Sequence, residues 1–310
     1  MAKVLNPKSL PAPVKARQTP WHWPGLGLHW VFHHALLRAL RAPRLPHDPP
    51  LYQRPLRRGA LSAHRLNTPE GKRLAVWLAH PDAAGPTAAP AVLVMHGWGA
   101  NAAMMWPVVQ PLVDSGHVVT LLDARCHGES DGDDFTSLPR FAEDIATTLR
   151  WLVQQPGVDA QRLALLGHSV GAGACLLHAA QGQPKVAAVV SLSAFAHPAE
   201  VMRRWLAEHR LPQRLVGNAI LTHVQEVIGA QFDDIAPLHT IGQSTAPILL
   251  VHGRQDEAVP YTDAERLAEA AWNAGGYVQM LGVDGSHDLR EALEPHAHEI
   301  IEFLTKVWRI

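Results

Sequence analysis

The sequence predicts an α/β domain: a mostly parallel sheet of about eight strands, helices on both of its faces, and a helical insertion between late strands. Three observations predict it. Apolar, β-type runs recur after residue 59, helical stretches separate them, and one interval, 193–244, replaces a strand with two helices. Continuous apolar strands alternating with helices imply a parallel sheet that is covered on both sides.

The elements follow in order. Leu61 to Leu66 and Leu74 to Ala79 read as a hairpin turned at Thr68-Pro-Glu-Gly71. Ala91 to Met95 is a strand, followed by a helix over Ala103 to Asp114. Val118 to Leu122 is the next strand, and a loop leads to a helix over Leu138 to Gln154. Leu163 to Leu166 runs into a helix from Val170 to Ala180, and Val186 to Leu192 is again a strand. Ala199 to Ile228 reads as two helices parted near Leu211-Pro212, within an insertion at about 196–243 placed to cap the strand ends. Ile248 to Val251 and Tyr277 to Leu281 complete the sheet, and Glu294 to Val307 is a closing helix.

Residues 1–58 form a Pro- and His-rich extension to the domain at 59–310. Within it Leu28, Phe32, Leu36 and Leu40 recur at helical spacing, which predicts a short amphipathic helix. It either packs on the domain or touches a partner or a membrane surface. The stretch is too short and polar to span a bilayer, and no secretory signal pattern precedes it. The 310 residues are 47% apolar and 18% charged, with a formal net charge of −1. This suits a large core and gives no basic face for nucleic acid. Two cysteines, Cys126 and Cys175, make no disulfide framework and point to the cytoplasm. Oligomeric state leaves no signal.

The chemistry centres on Leu165-Leu-Gly-His-Ser-Val-Gly-Ala-Gly173, a G-x-S-x-G run between a strand and a helix. Ser169 on that tight turn would stand clear of the sheet, with Gly167 and Gly171 removing side chains that would collide. A serine hydroxyl needs a base oriented by a carboxylate. Asp256 lies in the loop after the strand ending at His252-Gly253, and His287 lies after the last strand in Asp284-Gly-Ser-His-Asp288. Glu257 is the neighbour that could replace Asp256, Asp263 is offered only as a helix-face residue, and His296 and His298 fall in a helical pattern. Backbone amides of Val170 and Trp98 are placed for an oxyanion hole. Trp98, Trp106, His168 and Trp205 are candidate substrate contacts. No metal is expected, because His33-His34 and His296-x-His298 lack matching ligands at zinc-like spacing. No cofactor is expected either; Gly171-x-Gly173 does not make a dinucleotide fingerprint.

Together His96-Gly-Trp-Gly99, Asp123-Ala-Arg-Cys-His-Gly-Glu-Ser130, the serine turn, His252-Gly253-x-x-Asp256 and Gly285-Ser-His287 resemble the α/β-hydrolase superfamily, in its esterase and prolyl-oligopeptidase-like branch. The resemblance runs from about Gly59 to the C-terminus. It implies the α/β-hydrolase fold, a triad of Ser169, Asp256 and His287, and hydrolysis of a small-molecule ester or acyl substrate through an acyl-enzyme. Cys126 departs from the pattern, which commonly has glycine there, so the loop is expected to have adjusted around a packed thiol. A peptidase or thioesterase would use the same triad, and a non-catalytic binding module on this fold is the rival from another class.

Overall fold

Strand register decides where the site lies. The computed structural model describes residues 33, 34, 37, 38, 41–82, 88–210, 212, 216–289 and 293–309. Its sheet has the order β1-β2-β4-β3-β5-β6-β7-β8. The strands are β1 (Ala60–Asn67), β2 (Arg73–His80), β3 (Ala89–Met95), β4 (Val118–Leu122), β5 (Val158–His168), β6 (Ala188–Leu192), β7 (Ile248–Gly253) and β8 (Val278–Val283). The hairpin β1–β2 joins antiparallel to β4, and every other pairing is parallel. Met95 pairs with Gly167, His168 with Leu192, Leu192 with Val251, and Gly253 with Val283. The C-terminal ends of β3, β5, β6, β7 and β8 therefore lie side by side, and the loops leaving them share one edge.

Alternation along the strands separates two cores. On β3, Ala91, Leu93 and Met95 join one cluster while Val92 and Val94 join the other. The helices are α1 (Val109–Asp114), α2 (Leu138–Leu152), α3 (Val170–Gln181), α4 (Pro198–Glu208), α5 (Asn218–Ile228), α6 (Phe232–Ile235), α7 (Pro237–Thr240), α8 (Tyr261–Asn273) and α9 (Ala297–Val307). Side chains of α2, α3, α5, α6 and α8 fill the first cluster, and those of α1 and α9 the second. Sheet and helices thus make the three layers the alternation predicts. None of the described helices is long and apolar enough to cross a membrane.

Two helices differ from expectation at their starts. The stretch 103–114 is a 3-10 turn over Ala102–Val108 before α1, because Pro107 has no N–H to give an α-turn. The closing helix begins at Ala297 rather than Glu294, since Pro295 disfavours the α conformation of the residue before it.

The insertion between β6 and β7 is tied to the sheet rather than loose. Leu221, Val224, Phe232 and Ile235 are buried in the first cluster, and Met202 and Ile220 pack against it. The Arg266 guanidinium grips both Glu200 oxygens at 2.7 and 2.8 Å, joining α4 to α8. Asp263, expected only on a helix face, is buried and accepts the Ala196 amide at 3.1 Å.

The apolar stripe Leu28, Phe32, Leu36 and Leu40, with the surface contact expected of it, lies outside the described residues. From residue 41 onward the extension is part of the domain. Leu51 is buried in the second cluster. Asn101 donates to the carbonyls of Leu45 and Pro46 at 3.1 and 3.0 Å, and His47 bonds the buried Asp123 at 2.9 Å.

Candidate active site

Ser169 links β5 to α3 with φ 53° and ψ −118°, a conformation that costs a non-glycine residue about 1–3 kcal/mol. The surroundings impose it. A Cβ on Gly167 would run into the carbonyl of Gly171, and one on Gly171 would run into the carbonyl of His96. The Ser169 amide is fixed to the Leu192 carbonyl at 2.8 Å. These contacts hold the serine turn against β3 and β6 and leave its side chain half-buried at the sheet edge.

The base and the acid meet because their loops touch. A Cβ on Gly253 would stand against the Gly285 carbonyl and 2.7 Å from that of Ser286, so only glycine admits this approach. The Gln255 amide bonds the Gly285 carbonyl at 3.1 Å, and the Gln255 side chain accepts the Gly285 amide at 2.7 Å. His287 Nδ1 then lies 2.8 Å from Asp256 Oδ2, and His287 Nε2 lies 3.0 Å from Ser169 Oγ. A carboxylate only accepts, so Nδ1 carries the proton and Nε2 is free to accept from the serine hydroxyl. The structure brings together all three side chains singled out in the sequence.

Asp256 is organised as an anion. Its Oδ1 accepts the amides of Ala258 and Val259 at 3.0 and 2.7 Å. Burial alone would raise its pKa, but hydrogen bonds from His252, His287 and the Val259 amide outweigh burial and hold it far below the usual carboxylate range. Glu257 is exposed and takes no part. His252 was missed from the sequence: its Nε2 lies 3.3 Å from Asp256 Oδ2 while bonding the Val259 carbonyl at 2.9 Å. The signal was available in the i, i+4 spacing of His252 and Asp256.

The turn after β3 is held from behind by two buried histidines. His96 donates from Nδ1 to the Gly97 carbonyl at 2.7 Å and accepts the Ala124 amide on Nε2 at 3.1 Å. Burial first, then the neighbouring His127, pushes its pKa down to about 3. His127 Nε2 accepts the Gly99 amide at 3.1 Å. Asp123 accepts the amides of Ala102 and Glu129, each at 2.7 Å, along with His47. Pro43 closes over Gly99, where a Cβ would stand 2.8 Å from its Cγ. With the turn so fixed, the Trp98 amide has no acceptor among the described residues, and neither has that of Val170, the first residue of α3. Gly97, the neighbour of Trp98, lies against the serine turn, where a Cβ would stand 3.2 Å from that of Ser169, and amides without an acceptor can receive negative oxygen.

The four candidate substrate contacts part company. Trp98 is 37% exposed beside the site. The His168 ring stacks at a tilt on His287, centroids 5.0 Å apart. Trp106 instead packs against the second cluster with Arg54 over its ring at 5.7 Å, and Trp205 stacks on His209 at 4.1 Å.

The Cys126 loop has not adjusted. Cys126 takes φ 69°, the left-handed conformation that glycine favours, and its sulfur accepts the Asp133 amide at 3.1 Å. Burial raises its thiol pKa, which disfavours the reactive thiolate.

A family model described as serine aminopeptidase, S33, matches residues 86–234. An uncharacterized protein of Mycobacterium tuberculosis is 33% identical over 221 residues, 70% of each chain. YfhR of Escherichia coli K12, also uncharacterized, is 26% identical over 205 residues, 65% of each. Among solved structures, an esterase of Pyrococcus furiosus superimposes with TM-score 0.64 at 18% identity, over 87% of this chain and 96% of its own. A ferulic acid complex of Est1E from Butyrivibrio proteoclasticus gives 0.63 at 21% identity, over 80% and 100%. An acylaminoacyl peptidase of Pyrococcus horikoshii gives 0.64 at 16% identity, over 81% and 42%. The sheet order, the serine turn and the one-third identity to the mycobacterial protein agree, and the chain belongs to the α/β-hydrolase superfamily of serine hydrolases.

Proposed function

We propose that the chain hydrolyses carboxylic esters of small acyl substrates through an acyl-enzyme on Ser169. His287 Nε2 takes the serine proton as Oγ attacks the carbonyl carbon. The carbonyl oxygen becomes an oxyanion between the amides of Trp98 and Val170, at the positive end of α3. Asp256 keeps the proton of His287 on Nδ1 and stabilises the imidazolium that forms. The imidazolium then protonates the leaving alkoxide as the carbon–oxygen bond breaks. Water then attacks the acyl carbon as His287 takes its proton, and that proton returns to Ser169 Oγ as the acyl–Oγ bond breaks and the acid leaves.

The observation that carries this reading is the continuous relay of 3.0 Å from Ser169 to His287 and 2.8 Å from His287 to Asp256. The ester preference is supported by the Pyrococcus furiosus esterase, which aligns over 96% of its own length, and by Est1E, which binds ferulic acid and aligns over 100% of its own. The insertion at about 196–243 is the cap in this reading, and Trp98, exposed at the edge of the site, lines the approach. Both cysteines are unpaired, which suits the cytoplasm.

Amide and thioester cleavage would use the same three side chains, and the aminopeptidase family model keeps the peptidase reading open to test. p-Nitrophenyl esters of two to eight carbons, acyl thioesters and aminoacyl anilides are assayed side by side, with S169A as the blank. Esters are expected to turn over fastest, and S169A to fall by at least about a thousandfold. Faster cleavage of the anilides would replace the ester reading, and an S169A variant near wild type would remove it.

A further inference from the structure

We infer that His168 is a positioning residue for this hydrolysis: its Nε2–H donates to the main-chain carbonyl of His287 and holds the base over the nucleophile. The inference rests on the hydrolytic reading above. It gives His168 a different task from the substrate contact its place in the sequence suggests.

The geometry comes from one ring touching three parts of the site. His168 is the last residue of β5 and the chain neighbour of Ser169. Its Nε2 lies 2.8 Å from the carbonyl oxygen of His287. A carbonyl can only accept, so Nε2 bears the proton and Nδ1 of the neutral ring bears the lone pair. Nδ1 faces Gly97, where a Cβ would stand 3.0 Å from it, so the ring is wedged against the turn that presents the Trp98 amide. Nucleophile, oxyanion turn and base loop are thereby spaced by a single side chain.

The ring must also be neutral to do this without opposing the reaction. His287 becomes an imidazolium during each proton transfer, and its ring centroid is 5.0 Å from that of His168. A second cation at that distance would disfavour the imidazolium. Burial first, and His287 second, push the pKa of His168 down to about 4, so the ring stays uncharged above that pH. Catalytic groups are sensitive to such spacing, since a misplacement of about 1 Å can cost on the order of a hundredfold in rate.

Three variants test it, with steady-state kinetics on an ester, the rate of fluorophosphonate labelling, and thermal midpoints. H168F keeps a ring but loses the donor, and H168N has a donor too short to reach the carbonyl. H168Q places an amide N–H at about the reach of Nε2. In H168F and H168N, kcat and the labelling rate are expected to fall roughly ten- to a hundredfold with KM within about twofold. H168Q is expected to recover kcat to within about threefold of wild type. If H168F does not fold, the H168N and H168Q pair decides. Equal activity of H168N and H168Q, or a change confined to KM, overturns the positioning role. A wild-type protein that neither labels nor turns over would overturn the hydrolytic reading itself, and this one with it.

Discussion

Acidification should destabilise this protein while most of its carboxylates are still ionised, because several buried histidines are held as neutral rings. His96 and His117 make the case by geometry. His96 uses Nε2 to accept the Ala124 amide, and His117 Nε2 accepts the Trp308 indole N–H at 3.1 Å. A second proton on either ring would meet an N–H donor head-on and break the bond. Their relative exposures are 0% and 3%, and burial pushes their pKa values down to about 3 and about 4. A histidine whose folded pKa lies below its ordinary 6.5 binds protons more readily in the unfolded chain. Stability is therefore complete above about pH 6.5 and falls as pH drops toward 4 and 3. Between pH 7 and pH 5 each ring contributes a loss of roughly 2 kcal/mol, together roughly 4 kcal/mol. Burial raises Asp144 to about 6, and its proton uptake works in the opposite direction by about 1 kcal/mol. His127 and His168, also shifted down, add to the loss. Urea unfolding at pH 7, 6 and 5 measures the slope. H117Q, remote from the oxyanion turn, should remove roughly 2 kcal/mol of the pH dependence while leaving the rest. A midpoint unchanged between pH 7 and 5 would refute the neutral assignment.

Three further outcomes follow from the same structure. D256N should cut kcat by about three to four orders of magnitude, because an amide N–H facing His287 forces the imidazole into the tautomer that cannot accept from Ser169. Ester kinetics from pH 6 to 9 check this, and a loss under tenfold would contradict it. D144A should cost about 3–5 kcal/mol in urea unfolding. It strips the fully buried Arg125 guanidinium of bonds at 2.8 and 2.6 Å, leaving contacts at 3.4–3.8 Å to Glu143, Glu70 and Asp133. A loss under about 1 kcal/mol would show that those neighbours suffice. A chain beginning at residue 59 should lose about 3–5 kcal/mol, from the Leu51 side chain and the bonds to Asp123 and Asn101. Its ester kcat should fall as the turn carrying Trp98 loosens, whereas unchanged kinetics would make residues 41–58 mere packing.

The sheet and the meeting of Ser169, Asp256 and His287 were legible because local signals and topology agree there. An apolar strand, a small-residue helix and two glycines frame Ser169, and Gly253 before the Asp256 loop marks the close approach to the backbone of Gly285 and Ser286. What escaped the sequence depends on contacts between distant segments. His47 reaches Asp123 across 76 positions, and nothing in the local pattern of a Pro-rich stretch announces it. Trp106 follows the turn after β3 and Trp205 lies on the insertion, yet Trp106 packs against the second cluster and Trp205 stacks on His209. Cys126 shows the opposite failure. Its neighbours specify a glycine conformation so strongly that the backbone keeps it with a side chain present.

Mass spectrometry of the intact protein and its peptides after treatment with a fluorophosphonate tests the central claim most directly. One adduct per chain is expected, on the peptide containing Ser169, formed slowly or not at all in S169A and D256N. An unreacted wild type, or an adduct carried by another serine at full rate, would contradict the account.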